Sequence, residues 1–234
     1  MNDYLLFIDT ETTGLPKSWN RPYEAVDNWP HAIQISWLIY SKEGVKIKEE
    51  NYYINNNNCT ISPTAFKVHG LTASFLTANG ISQKDVLEKL SKDLDQFDPM
   101  VIGYFMELDY HVIAAGYYRE TIPNKLAYFS TFCIMIASQH LQLNPVLKFL
   151  RLGDLYQLLF KKTLLNQHNA MADAAATAEC FFKLQKDNQI RSFIQSPISI
   201  QKPSAVTSTF GWVLAVLLLF FSAFLIACYY GKPH

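Results

Sequence analysis

The chain has 234 residues, half of them hydrophobic, and its 20 basic and 20 acidic side chains cancel. This length and apolar content favour one domain with a substantial core plus an additional segment, and they argue against a disordered chain. The balanced charge excludes a broadly basic surface, so a nucleic-acid partner would need a local patch or bound cations.

Residues 1–187 alternate apolar runs with turn residues and helical patterns, which predicts a mixed α/β domain. The predicted strands are residues 4–10, 32–40, 46–54 and 100–104. The predicted helices are residues 83–96, 110–118, 155–160 and 170–186. Ser82 followed by Asp85 is typical of a helix start, and Asn169 is the predicted N-cap of the last helix.

The C-terminal part of the chain has a different character. Residues 188–209 lose the periodicity and gain Ser, Gln and Pro, which favours a linker. Residues 210–230 carry no charge, and a helix of about 21 residues spans about 31 Å, close to the hydrocarbon thickness of a bilayer. Trp212, Tyr229 and Tyr230 lie near its ends, where interfacial aromatics are enriched. We predict a transmembrane helix and a short tail at residues 231–234.

Because no secretory leader precedes the domain, we expect a single-pass, tail-anchored membrane protein whose main domain is cytoplasmic. The four cysteines are far apart and lack CxxC spacing, so we expect reduced thiols. Ala223 and Ala227 form a small-xxx-small pair that favours helix pairing, but the oligomeric state stays open.

The segment FIDTETTGL, residues 7–15, ends an apolar strand with two carboxylates. Side chains alternate along a strand, so Asp9 and Glu11 project together while Thr10 points away. The two like charges repel each other, and a divalent cation such as Mg²⁺ or Mn²⁺ between them would relieve that repulsion. An isolated pair of this kind is more simply a solvated strand end, so other residues must decide.

Later segments supply further candidates. Asp109 is predicted at a helix start, where an acid also interacts favourably with the helix dipole. The segment QHNAMADAAATAECFF places His168 in a loop and Asp173 one turn into an Ala-rich helix that can pack closely on a neighbour. The order and spacing of the acids and this histidine resemble the DEDDh subgroup of the 3′-to-5′ exonuclease superfamily, the epsilon proofreading-subunit-like nucleases.

The resemblance covers roughly residues 4–186. It includes ISPTAFKVHGLT, residues 61–72, which is similar to the family's short helix and His-Gly turn, and RLGDLYQLLF, residues 151–160, which resembles the segment before its last motif. It implies a ribonuclease H-like mixed sheet flanked by helices. It also implies a metal-dependent enzyme that removes nucleotides from the 3′ end of DNA, on single-stranded or frayed ends.

The same resemblance implies roles for individual residues. Two divalent cations, Mg²⁺ or Mn²⁺, would clamp the scissile phosphate. Asp9 would bridge both cations, Glu11 and Asp173 would complete the site on the nucleophile side, and Asp109 would support the second cation through water. His168 would act as the general base, a task suited to an imidazole. Thr12 and Leu15 match positions that touch the terminal nucleotide.

Two departures from the family pattern are visible. Tyr104 and Phe105 follow Gly103 where members often carry a His-Asn pair, and the insertion at residues 16–32 is longer than in minimal members. Two alternatives therefore stay open. The same site could trim RNA or hydrolyse small nucleotides, or the chain could be a catalytically weakened nucleic-acid-binding module at a membrane.

Overall fold

The computed structural model describes residues 3–25, 27–55, 59–141 and 149–190. In this part of the chain, five strands form one mixed sheet: β1 Tyr4–Thr12, β2 Ala32–Ser41, β3 Lys46–Tyr53, β4 Met100–Gly103 and β5 Thr131–Cys133. Their order in the sheet is β3-β2-β1-β4-β5. The central strand β1 pairs antiparallel with β2 and parallel with β4.

Helices connect β3 to β4 and β4 to β5, and further helices follow β5, whereas no helix joins β1 to β2 or β2 to β3 among the described residues. Two further single turns of 3₁₀-helix lie at Lys125–Tyr128 and Gln139–Leu141. The helices are α1 Pro63–His69, α2 Ala73–Asn79, α3 Gln83–Phe97, α4 Met106–Arg119, α5 Ile134–Ala137, α6 Leu152–Phe160 and α7 Ala170–Lys186.

The side chains of β1 enter two separate cores because they alternate between the faces of the sheet. Leu6 and Ile8 pack with α3 and α4, whereas Leu5 and Phe7 pack with α6 and α7. Both faces of the central strand are therefore covered by helices. This mixed sheet with flanking helices is the ribonuclease H-like α/β architecture that the sequence predicted.

The strands and helices predicted within residues 1–187 are confirmed, with differences at their ends. β1 continues to Thr12, so Glu11 lies inside the strand, and α4 starts at Met106, four residues before the predicted start. Ser82 and Asn169 are the N-caps of α3 and α7. No sequence pattern predicts α2, α5 or β5, because these elements are too short to carry a hydrophobic period of their own.

The insertion at residues 16–32 packs on α4. The ring of Trp29 stacks on His111 at a centroid distance of 4.7 Å, and the Tyr23 hydroxyl lies 2.8 Å from Nδ1 of the same histidine. Arg119 donates a hydrogen bond to the carbonyl oxygen of Pro30. Burial lowers the pKa of His111 to about 4, so this imidazole is neutral and serves packing.

The described residues contain no helix that is long and apolar enough to cross a bilayer. Residues 191–234, which include the predicted span at 210–230 and most of the predicted linker, lie outside the described part of the chain. Cys133 and Cys180 are buried free thiols.

Replacing Asp93 is expected to destabilise the fold. This aspartate is 1% exposed, and it accepts hydrogen bonds from Nε1 of Trp37 at 2.8 Å and from Nζ of Lys48 at 2.7 Å. Asp93→Ala leaves the buried indole N–H without an acceptor, so the free energy of unfolding should fall by about 2–4 kcal/mol in urea denaturation.

Asp95→Ala is the matched control, two residues along the same helix. Asp95 is exposed and pairs with Lys125 at the surface, so its loss should change the free energy of unfolding by less than about 1 kcal/mol. Equal effects of the two substitutions would contradict the assigned importance of the buried network.

Candidate active site

Three carboxylates converge at the end of β1. Asp9 and Glu11 lie on the face of the sheet that α7 covers, and Asp173 lies in the first turn of that helix. One oxygen from each of the three lies within 4.8 Å of the other two. The predicted acids at opposite ends of the sequence therefore meet in one place.

The composition of α7 explains how Asp173 reaches the sheet. Its small buried side chains, Ala174, Ala176 and Ala178, allow close packing of the helix, which lies against β1 and β2. The Asn169 side chain accepts hydrogen bonds from the N–H groups of Met171 and Ala172 and so sets where the helix begins. Asp173 is thereby placed one turn beyond a defined helix start.

Asp109 approaches the same site from α4, on the other face of the sheet. It is 4% exposed, and its Oδ1 accepts a hydrogen bond from the Thr10 hydroxyl at 2.7 Å. A Cβ at Gly103 would lie 3.2 Å from Oδ2 of Asp109, so a side chain at this position would crowd the carboxylate. Thr10 does point away from Asp9 and Glu11, as predicted, but it holds the fourth acid.

Sequence reasoning did not give Thr10 a role at the site. Strand alternation showed only that its side chain leaves the face shared by Asp9 and Glu11. The contact with Asp109 depends on α4 packing across that second face, and this packing is a tertiary property.

Burial and mutual repulsion disfavour the charged forms of these acids. Burial raises the pKa of Asp9 well above its ordinary value, and the charges of Asp109, Asp173 and Glu11 raise it further. Burial, then Asp173 and Asp109, raises the pKa of Glu11 to about 8. Burial raises the pKa of Asp109 to about 7, against the hydrogen bond from Thr10.

His168 lies on the exposed loop just before α7. Its backbone has a φ of 65°, in the left-handed region, and its N–H donates to Oδ2 of Asp173 at 3.0 Å. Burial raises the pKa of Asp173, while this hydrogen bond and the charge of His168 oppose the rise. The imidazole is therefore close enough to act electrostatically on the carboxylate cluster.

The residues fit a divalent cation. Oδ1 of Asp173 is buried and has no hydrogen-bond partner among the described residues, although Oδ2 is satisfied. Carboxylate oxygens are the ligands that hard cations such as Mg²⁺ and Mn²⁺ prefer. A cation among Asp9, Glu11 and Asp173 would bind Oδ1 of Asp173 and neutralise the repulsion between the three carboxylates. Carboxylates at a solvated strand end would need no such cation.

The two predicted substrate contacts, Thr12 and Leu15, lie at the last residue of β1 and in the turn that follows it. The Thr12 hydroxyl donates to the carbonyl oxygen of Gly14 at 2.6 Å, so it stabilises the turn itself. Thr13 pairs with His31 through its N–H, and its hydroxyl accepts the N–H of the same residue. Leu15 is 71% exposed at the tip and is available for contact.

The two aromatic residues that follow Gly103, where family members often carry a His-Asn pair, are explained by packing. Tyr104 is 7% exposed and its hydroxyl donates to the carbonyl oxygen of Leu150 at 2.7 Å. Phe105 stands at the N-cap of α4, and its ring lies 5.7 Å from that of Trp19 in the insertion. The aromatic residues thus tie this motif to its surroundings, and all four acids remain in place.

Comparison with known families identifies the class of this protein. The sequence matches the model of the exonuclease family (RNase_T) over residues 6–181, which is most of the chain. The chain therefore belongs to the exonuclease family. A comparison with curated proteins gives no significant match.

Solved structures share the fold. The chain is similar to E. coli Exonuclease I in complex with a dT13 oligonucleotide, with a TM-score of 0.67 and 21% identity over 82% of this chain and 43% of the other. The zinc-bound form of the E. coli Exonuclease I complex with single-stranded DNA gives 0.66 and 21% over 82% and 42%. The chain spans less than half of these Exonuclease I chains.

The raised pKa of Glu11 makes cation binding and stability depend on pH. The Glu11 carboxyl loses its proton near pH 4.5 in the unfolded chain and near pH 8 in the folded chain. The proton therefore stabilises the folded state fully at low pH, and this contribution is lost as the pH rises through 8. In EDTA at about pH 8.5, Glu11→Gln should therefore raise the melting temperature by a few degrees.

Cation binding must displace the same proton, so the affinity for Mn²⁺ should increase between about pH 6.5 and 8.5. Calorimetric titration at both pH values measures this change, and Glu11→Gln should abolish most of the binding. Glu88→Gln, at an exposed position of α3, is the control and should behave as the parent chain. A Mn²⁺ affinity independent of pH would contradict the assignment.

Proposed function

We propose that this protein is a metal-dependent 3′-to-5′ exonuclease that removes nucleotides from the 3′ ends of single-stranded or frayed DNA. The observation that carries the proposal is the convergence of Asp9, Glu11 and Asp173 from two distant segments, with Asp109 and His168 beside them. Membership of the exonuclease family supports the same reaction class.

The acids would hold two divalent cations, Mg²⁺ or Mn²⁺. Asp9 is the candidate to contact both, because it lies beside Glu11 and Asp173 and directly precedes Thr10, whose hydroxyl binds Asp109. Glu11 and Asp173 would hold the cation on the nucleophile side, and Asp109 would support the second. When bound, the cations supply positive charge that stabilises the scissile phosphate and activates water.

His168 would accept the proton of the attacking water. Its exposed position gives the ring access to solvent, and the bond from its backbone to Asp173 keeps the loop beside the carboxylates. An imidazole accepts a proton near neutral pH. Leu15, exposed at the turn that follows Glu11, would pack against the terminal nucleotide.

Single-stranded DNA is the proposed substrate because similar folds bind it. E. coli Exonuclease I has been solved with dT13 and with dA16 oligonucleotides. The chain has no net positive charge, so bound cations rather than a basic surface would attract the DNA phosphates at the strand end. RNA and small nucleotides are the alternatives that the assay must separate, since discrimination depends on the 2′ hydroxyl.

The activity test uses the full-length chain in mild detergent with Mg²⁺ or Mn²⁺ and oligonucleotides of matched DNA and RNA sequence. A 5′-labelled DNA strand should shorten progressively with release of 5′ mononucleotides, and a 3′ label should be lost in the first step. Asp9→Asn should slow the reaction more than about 100-fold. A parent chain no faster than Asp9→Asn would rule out the activity, and shortening from the 5′ end would rule out the polarity.

In the same assay, His168→Ala tests the general base. The rate should fall about 10²–10⁴-fold. His140→Ala is the matched control at another exposed position, where the ring contacts Gln189. Equal rates in the two variants would contradict the assignment of the base.

We also propose that residues 210–230 anchor the protein in a membrane. The proposal rests on the uncharged apolar run and its terminal aromatics. After expression in cells, the full chain should stay in the membrane pellet through a carbonate wash and be released by detergent. A variant that ends at residue 209 should be released without detergent. Loss of the full chain in the carbonate wash would contradict the anchor, and protease accessibility would report its orientation.

A further inference from the structure

Polar side chains form a row across the sheet directly beside the carboxylates. In the antiparallel pairing of β1 and β2, Glu11 lies opposite Gln34 and Asp9 lies opposite Ser36. Ser36 in turn lies opposite Asn51 on β3. Gln34 and Ser36 are fully buried, which is unusual for polar side chains unless they are hydrogen-bonded.

Gln34 connects this row to α7. Its Nε2 donates to Oδ1 of Asn51 at 2.9 Å, and its Oε1 accepts the backbone N–H of Ala170 at 3.3 Å. The Ser36 hydroxyl donates to the same Asn51 oxygen at 2.8 Å. The Gln34 carboxamide therefore links the edge strand β3 to the first residue of the helix that carries Asp173.

The bond to Ala170 lies at the start of α7, directly after a loop. The preceding loop is largely exposed and contains Asn166 and His168 with positive φ. The first N–H groups of a helix have no hydrogen-bond partner within the helix. In α7, the Asn169 side chain accepts the N–H groups of Met171 and Ala172, and the Gln34 side chain accepts the N–H of Ala170.

We propose that Gln34 is a positioning residue for the active site, acting through Ala170 to hold Asp173 and His168 in register with Asp9 and Glu11. As far as turnover is concerned, the inference rests on the exonuclease function proposed above. Asp173 is three residues beyond Ala170 in the same helical turn, so a shift of that turn displaces its carboxylate directly. His168 moves with it, because its N–H binds Asp173.

A purely structural role for Gln34 makes a different prediction. A buried glutamine that only stabilises the fold affects melting, while the folded protein binds cations as before. A positioning role changes the cation affinity and kcat of the folded protein, because the ligands are no longer held at the correct separation.

The experiment compares Gln34→Met with Gln83→Met in the full-length chain in mild detergent. Gln83 is a matched control, because it is also a buried glutamine, 6% exposed. It donates from α3 to Glu120 at the C-terminal end of α4, whereas Asp109 lies in the first turn of that helix. Calorimetric titration with Mn²⁺, well below both melting temperatures, should give a dissociation constant at least about tenfold higher for Gln34→Met. Gln83→Met should bind Mn²⁺ as the parent chain does.

Kinetics with a single-stranded DNA oligonucleotide give a second reading. Gln34→Met should lower kcat about tenfold or more at saturating Mn²⁺ and change KM less than about twofold, because the substrate surface is intact. Asn51→Ala removes the anchor of Gln34 and should weaken Mn²⁺ binding in the same direction by a smaller factor. Combining it with Gln34→Met should add little, because the two residues act through one link.

Equal Mn²⁺ affinity for Gln34→Met and Gln83→Met would overturn the inference. If Gln34→Met does not fold, Asn51→Ala decides by the same criterion. If the parent chain binds Mn²⁺ but degrades no oligonucleotide, the exonuclease proposal fails, while the Mn²⁺ comparison still decides the role of Gln34.

Discussion

Repulsion among buried carboxylates at one end of the sheet is the interaction on which the organisation of this domain depends. Oxygens of Asp9, Glu11 and Asp173 come within 4.8 Å of one another, and burial together with neighbouring charge raises the pKa of each of the first two. Such a cluster is unfavourable unless protons or cations compensate it. The surrounding fold must therefore hold the acids together against their own electrostatics.

The covered central strand provides that restraint. Because both faces of β1 carry helices, one short segment directs Asp9 and Glu11 towards α7 and Thr10 towards α4. Each acid contributed by a helix is held by a hydrogen bond. The Thr10 hydroxyl donates to Asp109, and the His168 N–H donates to Asp173. Hydrogen bonds from Thr10 and His168 therefore help to assemble the site, because each fixes an acid that a helix contributes.

Departures from the family pattern show how local sequence changes are absorbed by packing. Tyr104 is committed to the core through its bond to Leu150, and the insertion is attached to α4 by the stack of Trp29 on His111. Neither change displaces an acid. Motif comparison alone cannot separate a lost functional group from a structural replacement, because that difference lies in the partners of the side chain.

Periodicity, capping and strand alternation are local properties, so the chain alone predicted the long elements, the caps at Ser82 and Asn169, and the shared face of Asp9 and Glu11. The place of Asp109 and Asp173 beside them was expected from the resemblance of the motifs to a known family. Packing decides whether a segment as short as β5 becomes a strand, because three residues carry no period of their own. Packing also creates the hydrogen bond from Thr10 to Asp109 and the link from Gln34 to α7. These residues are 99 and 136 positions apart, and contacts of that range leave no local pattern in the chain.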